Sequence, residues 1–184
     1  SQAHIKGRFG SVHNWPIIPL AMMLMPDGRV FAYGTTTDGK QSAKFNYIIW
    51  DPLKDTSTEA CQILSNTTET DIFCAAQALI PATAHALILG GDSQINGIRN
   101  YSNNNVNIFD FATDSLIRQP QNMAFRRWYA TAVTLSNGDH VVLGGRNNKP
   151  FVGSSTKPST EASYSPTPEI RALNGGWRSL ISAS

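Results

Sequence analysis

The sequence predicts an all-β fold, and three observations predict it. Short apolar runs recur at regular spacing, joined in pairs by turn signals. The second and third return runs end in diglycines, Gly90-Gly91 and Gly144-Gly145. Helical periodicity is nearly absent along the chain.

Each element has a local reason. Ser1–Val12 is polar and punctuated by glycine, so it reads as an irregular lead-in. Trp15-Pro16-Ile17-Ile18-Pro19 is extended, because a residue before proline is pushed out of the helical region. Leu20 to Met25 is a strand, Pro26-Asp27-Gly28 its turn, and Val30 to Tyr33 the return, closed by Gly34. Tyr47 to Trp50 is a third strand, stopped by Asp51-Pro52. The pattern repeats. Ala75–Ile80 and Ala86–Leu89 form a hairpin that ends in Gly90-Gly91-Asp92. A long Asn-rich loop precedes the strand Val106–Phe109. In the third copy, Thr131–Leu135 and Val141–Leu143 flank Ser136-Asn137-Gly138-Asp139, and Pro168–Arg171 follows a Gly/Ser/Pro-rich loop. Gly176 to Leu180 is expected to begin the next unit.

The repeat of about 50 residues is that of kelch-type β-propeller blades, each a four-stranded sheet. The expected blades run approximately 12–56, 70–118 and 127–172, with 173–184 starting another. A three-hairpin sandwich is the alternative. About three blades leave an incomplete ring, since propellers need roughly four to eight. Open sheet faces and edges invite association. The expected partner is therefore the rest of the ring, from the same gene or another chain, or further copies of this one.

With 184 residues, 41% of them hydrophobic and 15% charged, the chain can bury a core and is not disordered by composition. A net charge of +2, with no basic run longer than Arg126-Arg127, argues against nucleic acid as a partner. Ile17 to Met25 is too short for a membrane span and holds Pro19, so no membrane partner is expected. No leader pattern stands at Ser1, which suits a mature chain. Asn66-Thr67-Thr68 and Asn100-Tyr101-Ser102 fit the glycosylation triplet and give weak support to a secreted, extracellular setting. Cys61 and Cys74 could form a disulfide or both be free.

Candidate chemistry centres on two stretches, Thr70-Asp71-Ile72-Phe73-Cys74 and Phe125-Arg126-Arg127-Trp128-Tyr129. Each opens an apolar run that leads to a diglycine. If the runs are equivalent strands of neighbouring repeats, Cys74 and Tyr129 occupy nearly matching places, and a thiol faces a phenol. The plain alternative is a buried free cysteine and an ordinary aromatic. Asp27, Asp71 and Asp92 sit at turns, where carboxylates cap backbone amides. His85 and His140 lie in or beside hairpin turns and are expected at the surface. The residue after Gly144-Gly145, Arg146, is either a solvated loop arginine or a contact for an anionic or hydroxylated substrate. No phosphate loop, dinucleotide fingerprint or HExxH word is present.

These words resemble the galactose oxidase and glyoxal oxidase family of copper-radical oxidases. The resemblance rests on Trp15-Pro16-Ile17-Ile18-Pro19, Met25-Pro26-Asp27-Gly28-Arg29-Val30, Thr70 to Cys74, Asn103-Asn104-Asn105-Val106 and Arg127-Trp128-Tyr129. It covers only the N-terminal blades of that family's propeller. It implies a thioether between Cys74 and the ring of Tyr129, with the Tyr129 oxygen on copper. It also implies two-electron oxidation of a primary alcohol, sugar or aldehyde, with molecular oxygen reduced to hydrogen peroxide. Trp128 and Trp15 would shield the oxidised ring by stacking. The family's second tyrosine and its two copper-binding histidines lie in later sequence, and His4, His13, His85 and His140 match none of them. The isolated chain is thus expected to bind copper weakly and to turn over nothing.

The rival expectation is a non-catalytic module. It would bind carbohydrate or protein through the loops Thr35–Phe45, Ser93–Asn105 and Arg146–Thr167. A disulfide between Cys61 and Cys74 would exclude the thioether, so the two ideas compete for one sulfur.

Overall fold

A computed structural model describes residues 2–54, 56–95, 98–147 and 164–183. Most of the candidate binding loop Arg146–Thr167, namely 148–163, lies outside the described residues, as do 96–97 of the loop Ser93–Asn105.

The class is all-β. After one helical turn, α1 (Ala3–Lys6), the chain forms three four-stranded antiparallel sheets. The first holds β1 (Ile18–Leu24), β2 (Val30–Thr35), β3 (Asn46–Trp50) and β4 (Cys61–Ser65), in that order. The second holds β5 (Ala76–Leu79) and β6 (Ala86–Leu89), then β9 (Val106–Asp110) and β10 (Ser115–Arg118). Between them a small hairpin is inserted, β7 (Asp92–Ile95) with β8 (Ile98–Ser102). The third holds β11 (Thr131–Thr134), β12 (His140–Leu143), β13 (Glu169–Arg171) and β14 (Trp177–Ser179).

The predicted hairpins form where their turns said they would. Gly28 takes a φ of 85° and donates its N–H to Met25, closing the first. Gly138 repeats this with φ 85° against Leu135. Three differences stand out. The fourth strand β4 lies beyond the expected unit 12–56, and β10 lies inside 70–118 at a stretch not singled out as a strand. Trp177–Ser179, expected to open a new unit, pairs with Glu169–Arg171 and finishes the third sheet. The Asn-rich loop contains the β7–β8 hairpin.

The sheets stack in sequence order, and alternation decides what meets what. Phe31, Tyr33, Tyr47 and Ile49 leave one face of the first sheet and meet Ile88 and Phe109 of the second. The Phe31 and Phe109 rings stack with centroids 4.3 Å apart. Both are essentially fully buried, worth roughly 2–3 kcal/mol each in transfer alone. The other face of the second sheet, with Leu87, Leu89 and Val106, meets Val142, Ala132 and Trp177 of the third. Ala86-Leu87-Ile88-Leu89 is buried on both faces, which explains its unbroken apolar run. On the outer face of the first sheet Met22, Leu24 and Ile63 are exposed, and on that of the third Val133 and Leu143. No helix among the described residues is long and apolar enough to cross a membrane.

Candidate functional site

Strands β5 and β11 lie against each other, and the segments that enter them carry Cys74 and Tyr129. Hydrogen bonds explain how these segments are held. Asn66 anchors the first by donating Nδ2 to the carbonyls of Ala43 (2.8 Å) and Thr70 (2.9 Å), while its Oδ1 accepts from Thr68 N–H. That amide nitrogen is therefore engaged in the fold, which counts against its use as a glycan acceptor. Asp71 Oδ1 then caps Phe73 N–H at 3.1 Å, as its turn position predicts.

The second segment is fixed from below by Arg127, fully buried and ion-paired with Glu169 at 2.9 Å. Arg127 also donates to the carbonyls of Gly144 and Thr167, and Glu169 accepts from Ala124 N–H. Gly90-Gly91 passes beneath both segments. A Cβ on Gly90 would collide with the Arg127 carbonyl, and one on Gly91 with that of Asp71. Glycine is needed at this pair because the backbones approach too closely for a side chain. In the second pair only Gly145 is crowded, its Cβ meeting Arg127 Cβ at 3.1 Å, whereas a Cβ on Gly144 would meet nothing within 4 Å.

These supports bring Cys74 and Tyr129 together. Tyr129 N–H donates to the Cys74 carbonyl at 3.1 Å, and both side chains line one cavity of about 390 Å³. Both residues also take left-handed backbone angles, φ 58° at Cys74 and 61° at Tyr129. Each such non-glycine angle costs on the order of 1–2 kcal/mol, so the surroundings impose it. Burial pushes the Cys74 thiol up, against weaker downward pulls from the Tyr129 phenol and the Trp128 indole; the Tyr129 phenol is pushed up chiefly by its bond to that thiol. Both groups are therefore neutral at pH 7. A neutral thiol is a poor nucleophile, which counts against thiolate catalysis here.

Trp128 is 9% exposed, and its ring lies 4.8 Å from that of Tyr129, tilted by 53°. Its buried Nε1 completes no hydrogen bond although it lies close enough to act on the sulfur. Arg146 pairs with Trp128 backbone to backbone and lays its guanidinium over the indole at 5.5 Å. It is thus tied to the Trp128 ring, which corrects its reading as a solvated loop residue. Tyr129 itself is 64% exposed.

Trp15 is not part of this group. It packs on Trp50, centroids 5.1 Å apart, with the outer cluster of the first sheet, whereas Cys74 packs against the inner cluster. These contacts place Trp15 beside Trp50 rather than beside the Tyr129 ring. Cys61 also belongs to that outer cluster, and both cysteines are free. His140, expected at the surface, is fully buried with Nε2 2.9 Å from the Leu79 carbonyl. His85 pairs with Asp110 at 3.3 Å.

Two features escaped the sequence reading. Tyr33, buried in β2, lines the same cavity, and its phenol is pushed up by burial and then by Cys74. Asp71 and Asp92 face each other across an isolated β-bridge. Asp92 is fully buried, and burial, then the charge of Asp71, pushes its carboxyl up to about 6. Its Oδ1 caps Ser93 and Asn100 N–H.

Copper needs several donors, and a tetragonal Cu(II) site favours imidazole and oxygen. Among the described residues no cluster of three or more His, Cys, Asp or Glu could hold a metal. Of the two phenols at the cavity, Tyr33 is buried with its hydroxyl on the Ala75 carbonyl and Gln77, so Tyr129 is the accessible one, and a single accessible phenol among the described residues does not make a copper site.

No known sequence family matches the chain, and no curated protein matches it either. Among solved structures, it is similar to a fungal alcohol oxidase of the AA5 family in complex with copper, with a TM-score of 0.58 and 16% identity. The match covers 89% of this chain and 30% of the oxidase. At that identity the likeness shows the fold: the chain shares its sheet arrangement with about a third of a copper-binding alcohol oxidase.

Proposed function

We propose that the three sheets are blades of a kelch-type propeller, and that the chain is the N-terminal part of a copper-radical oxidase. It would act on primary alcohols, sugars or aldehydes and reduce oxygen to hydrogen peroxide. The observation that carries this reading is the shared cavity of Cys74 and Tyr129, with the backbone of each pinned to the other.

In this reading the Cys74 sulfur joins a ring carbon of Tyr129. The S–H and one ring C–H are lost, and two electrons and two protons pass to oxygen. The sulfur substituent then makes the ring easier to oxidise. Trp128 covers one side of that ring, and burial keeps its indole away from water. Copper would supply the second one-electron store. Because this chain offers it one accessible phenol, Tyr129, the remaining ligands would belong to later blades or a C-terminal domain, as would the cover over Tyr129. A secreted setting goes with this oxidase chemistry.

Support comes from the fold shared with a copper-binding alcohol oxidase, from the neutral state of both groups, and from the free state of Cys74. The test is a peroxide assay on the parent protein that carries the later blades and C-terminal domain as well as this chain, copper-loaded and aerated, with primary alcohols, galactose and glyoxal. Activity lost in both Cys74→Ser and Tyr129→Phe supports the reading. Full activity in both variants, or none in the copper-loaded wild type, refutes it, and the second result favours a binding module.

A further inference from the structure

A second site stands at the opposite edges of the sheets. Strands β10 and β14 are the sheet edges farthest from β5 and β11, and between them lies a cavity of about 360 Å³. Its walls include Arg171, Trp177, Gln119, Gln121 and Asn174. The volume is at the lower end for small-ligand sites, about 300–1,000 Å³.

The unusual member is Arg171. It is 7% exposed, and its Nη1 is buried with no hydrogen-bond partner among the described residues. A buried cation normally sits beside an anion, because leaving water costs far more than a neutral contact returns. None of the residues lining this cavity is a carboxylate. Glu169, two residues earlier on the same strand, is committed to Arg127 and to the Ala124 amide. Burial lowers the pKa of Arg171, and no acidic group among the described residues raises it. Gly175 lies beside the guanidinium, where a Cβ would come into van der Waals contact with Arg171 Nη2 at 3.6 Å.

A second guanidinium adds to the same field. Arg118 donates to the Val106 and Gln119 carbonyls and to Asn105 and Asn122 Oδ1, all neutral acceptors. Val106 and Gln119 are themselves wall residues. The cavity is thus positive, forked in its hydrogen-bond geometry, and furnished with amide side chains and an indole.

We propose that this cavity binds a small oxyanion, a carboxylate or phosphate carried on a body no larger than a single sugar. The guanidinium fork of Arg171 takes two oxygens of the anion. Gln119, Gln121 and Asn174 meet hydroxyls, and Trp177 offers its flank to the ligand's carbon face. The site is independent of the oxidase reading, because it shares no residue with the Cys74–Tyr129 cavity.

Calorimetric titration of the intact protein tests it, with glucuronate, glucose 6-phosphate, inorganic phosphate and neutral glucose as probes. Glucuronate separates a carboxylate from a phosphate source, and inorganic phosphate separates head group from body. The proposal expects saturable binding of at least one anion, none of glucose, and affinity about ten- to hundredfold weaker in Arg171→Gln. Gln121→Ala, at an exposed wall position, should weaken binding with no loss of folding. Arg171→Met should melt no lower than wild type without ligand, since it removes an uncompensated charge. Absence of saturable binding, equal binding of glucose, or unchanged affinity in Arg171→Gln overturns the site. A lower melting temperature in Arg171→Met overturns it as well, because it shows the guanidinium to be held by structural contacts.

Discussion

Glu169→Gln removes the only carboxylate paired with Arg127 among the described residues. Both side chains are buried, at 0% and 1% exposure, so water cannot replace the lost charge. Glu169 faces donors: Arg127 Nε at 3.1 Å, Arg127 Nη2 at 2.9 Å and Ala124 N–H at 2.6 Å. A glutamine keeps one oxygen and turns its NH₂ towards other N–H groups. Breaking one side of a buried pair costs about 3–5 kcal/mol. At about 2–4 °C per kcal/mol for a chain of this size, melting should fall by roughly 6–20 °C. Urea unfolding gives the free energy directly. The double variant Arg127→Met with Glu169→Met should lose much less than the two single losses added, because neither partner is stranded. A loss below about 1 kcal/mol in Glu169→Gln, or strict additivity in the double variant, would refute this account of how the Trp128–Tyr129 segment is held.

Asp92 gives a pH prediction. Its folded pKa of about 6 lies above the unfolded value near 3.9, so folding favours its protonated form. Its contribution is complete below about pH 4 and is lost as pH rises to about 6, a change of roughly 3 kcal/mol. Asp92→Asn keeps the caps on Ser93 and Asn100 through its oxygen, so it should be more stable than wild type at pH 7 and level at pH 4; urea midpoints at both values decide. Gly90→Ala should cost over about 2 kcal/mol from collision with the Arg127 carbonyl, whereas Gly144→Ala, with φ 58° and open space, should cost only about 1–2 kcal/mol. Equal costs in urea unfolding would contradict the crowding argument. The isolated chain with copper should release no peroxide from any alcohol, because one phenol does not hold the metal; turnover in an oxygen electrode would contradict the ligand count.

The sequence made the central hairpins legible because their turns carry chemistry: Pro-Asp-Gly and Ser-Asn-Gly-Asp permit few other backbones. The strands β4 and β10 were not legible, because Cys61-Gln62-Ile63-Leu64-Ser65 and Ser115-Leu116-Ile117-Arg118 lie at sheet edges and are only half apolar. The β7–β8 hairpin is polar and hides in an Asn-rich stretch. At the site, the repeat pattern singled out Cys74 and Tyr129, since residues before equivalent strands occupy equivalent places. It could not reveal Tyr33, whose phenol reaches the cavity through packing of the first sheet on the second. Nor could it reveal the positive φ at Cys74 and Tyr129, which tertiary contacts impose on residues with no local preference for it. His140 is buried where its turn position suggested the surface, because which face a side chain takes depends on partners distant in sequence.

The most direct measurement is a tryptic mass map of the intact protein after copper and oxygen, with thiols alkylated. Trypsin leaves Cys74 on the peptide 55–99, which also carries Cys61, and Tyr129 on the peptide 128–146. The account predicts one linked species, two hydrogens lighter than the sum, alkylated at Cys61 only. Two separate peptides, with both cysteines alkylated and the tyrosine ring intact, would contradict it.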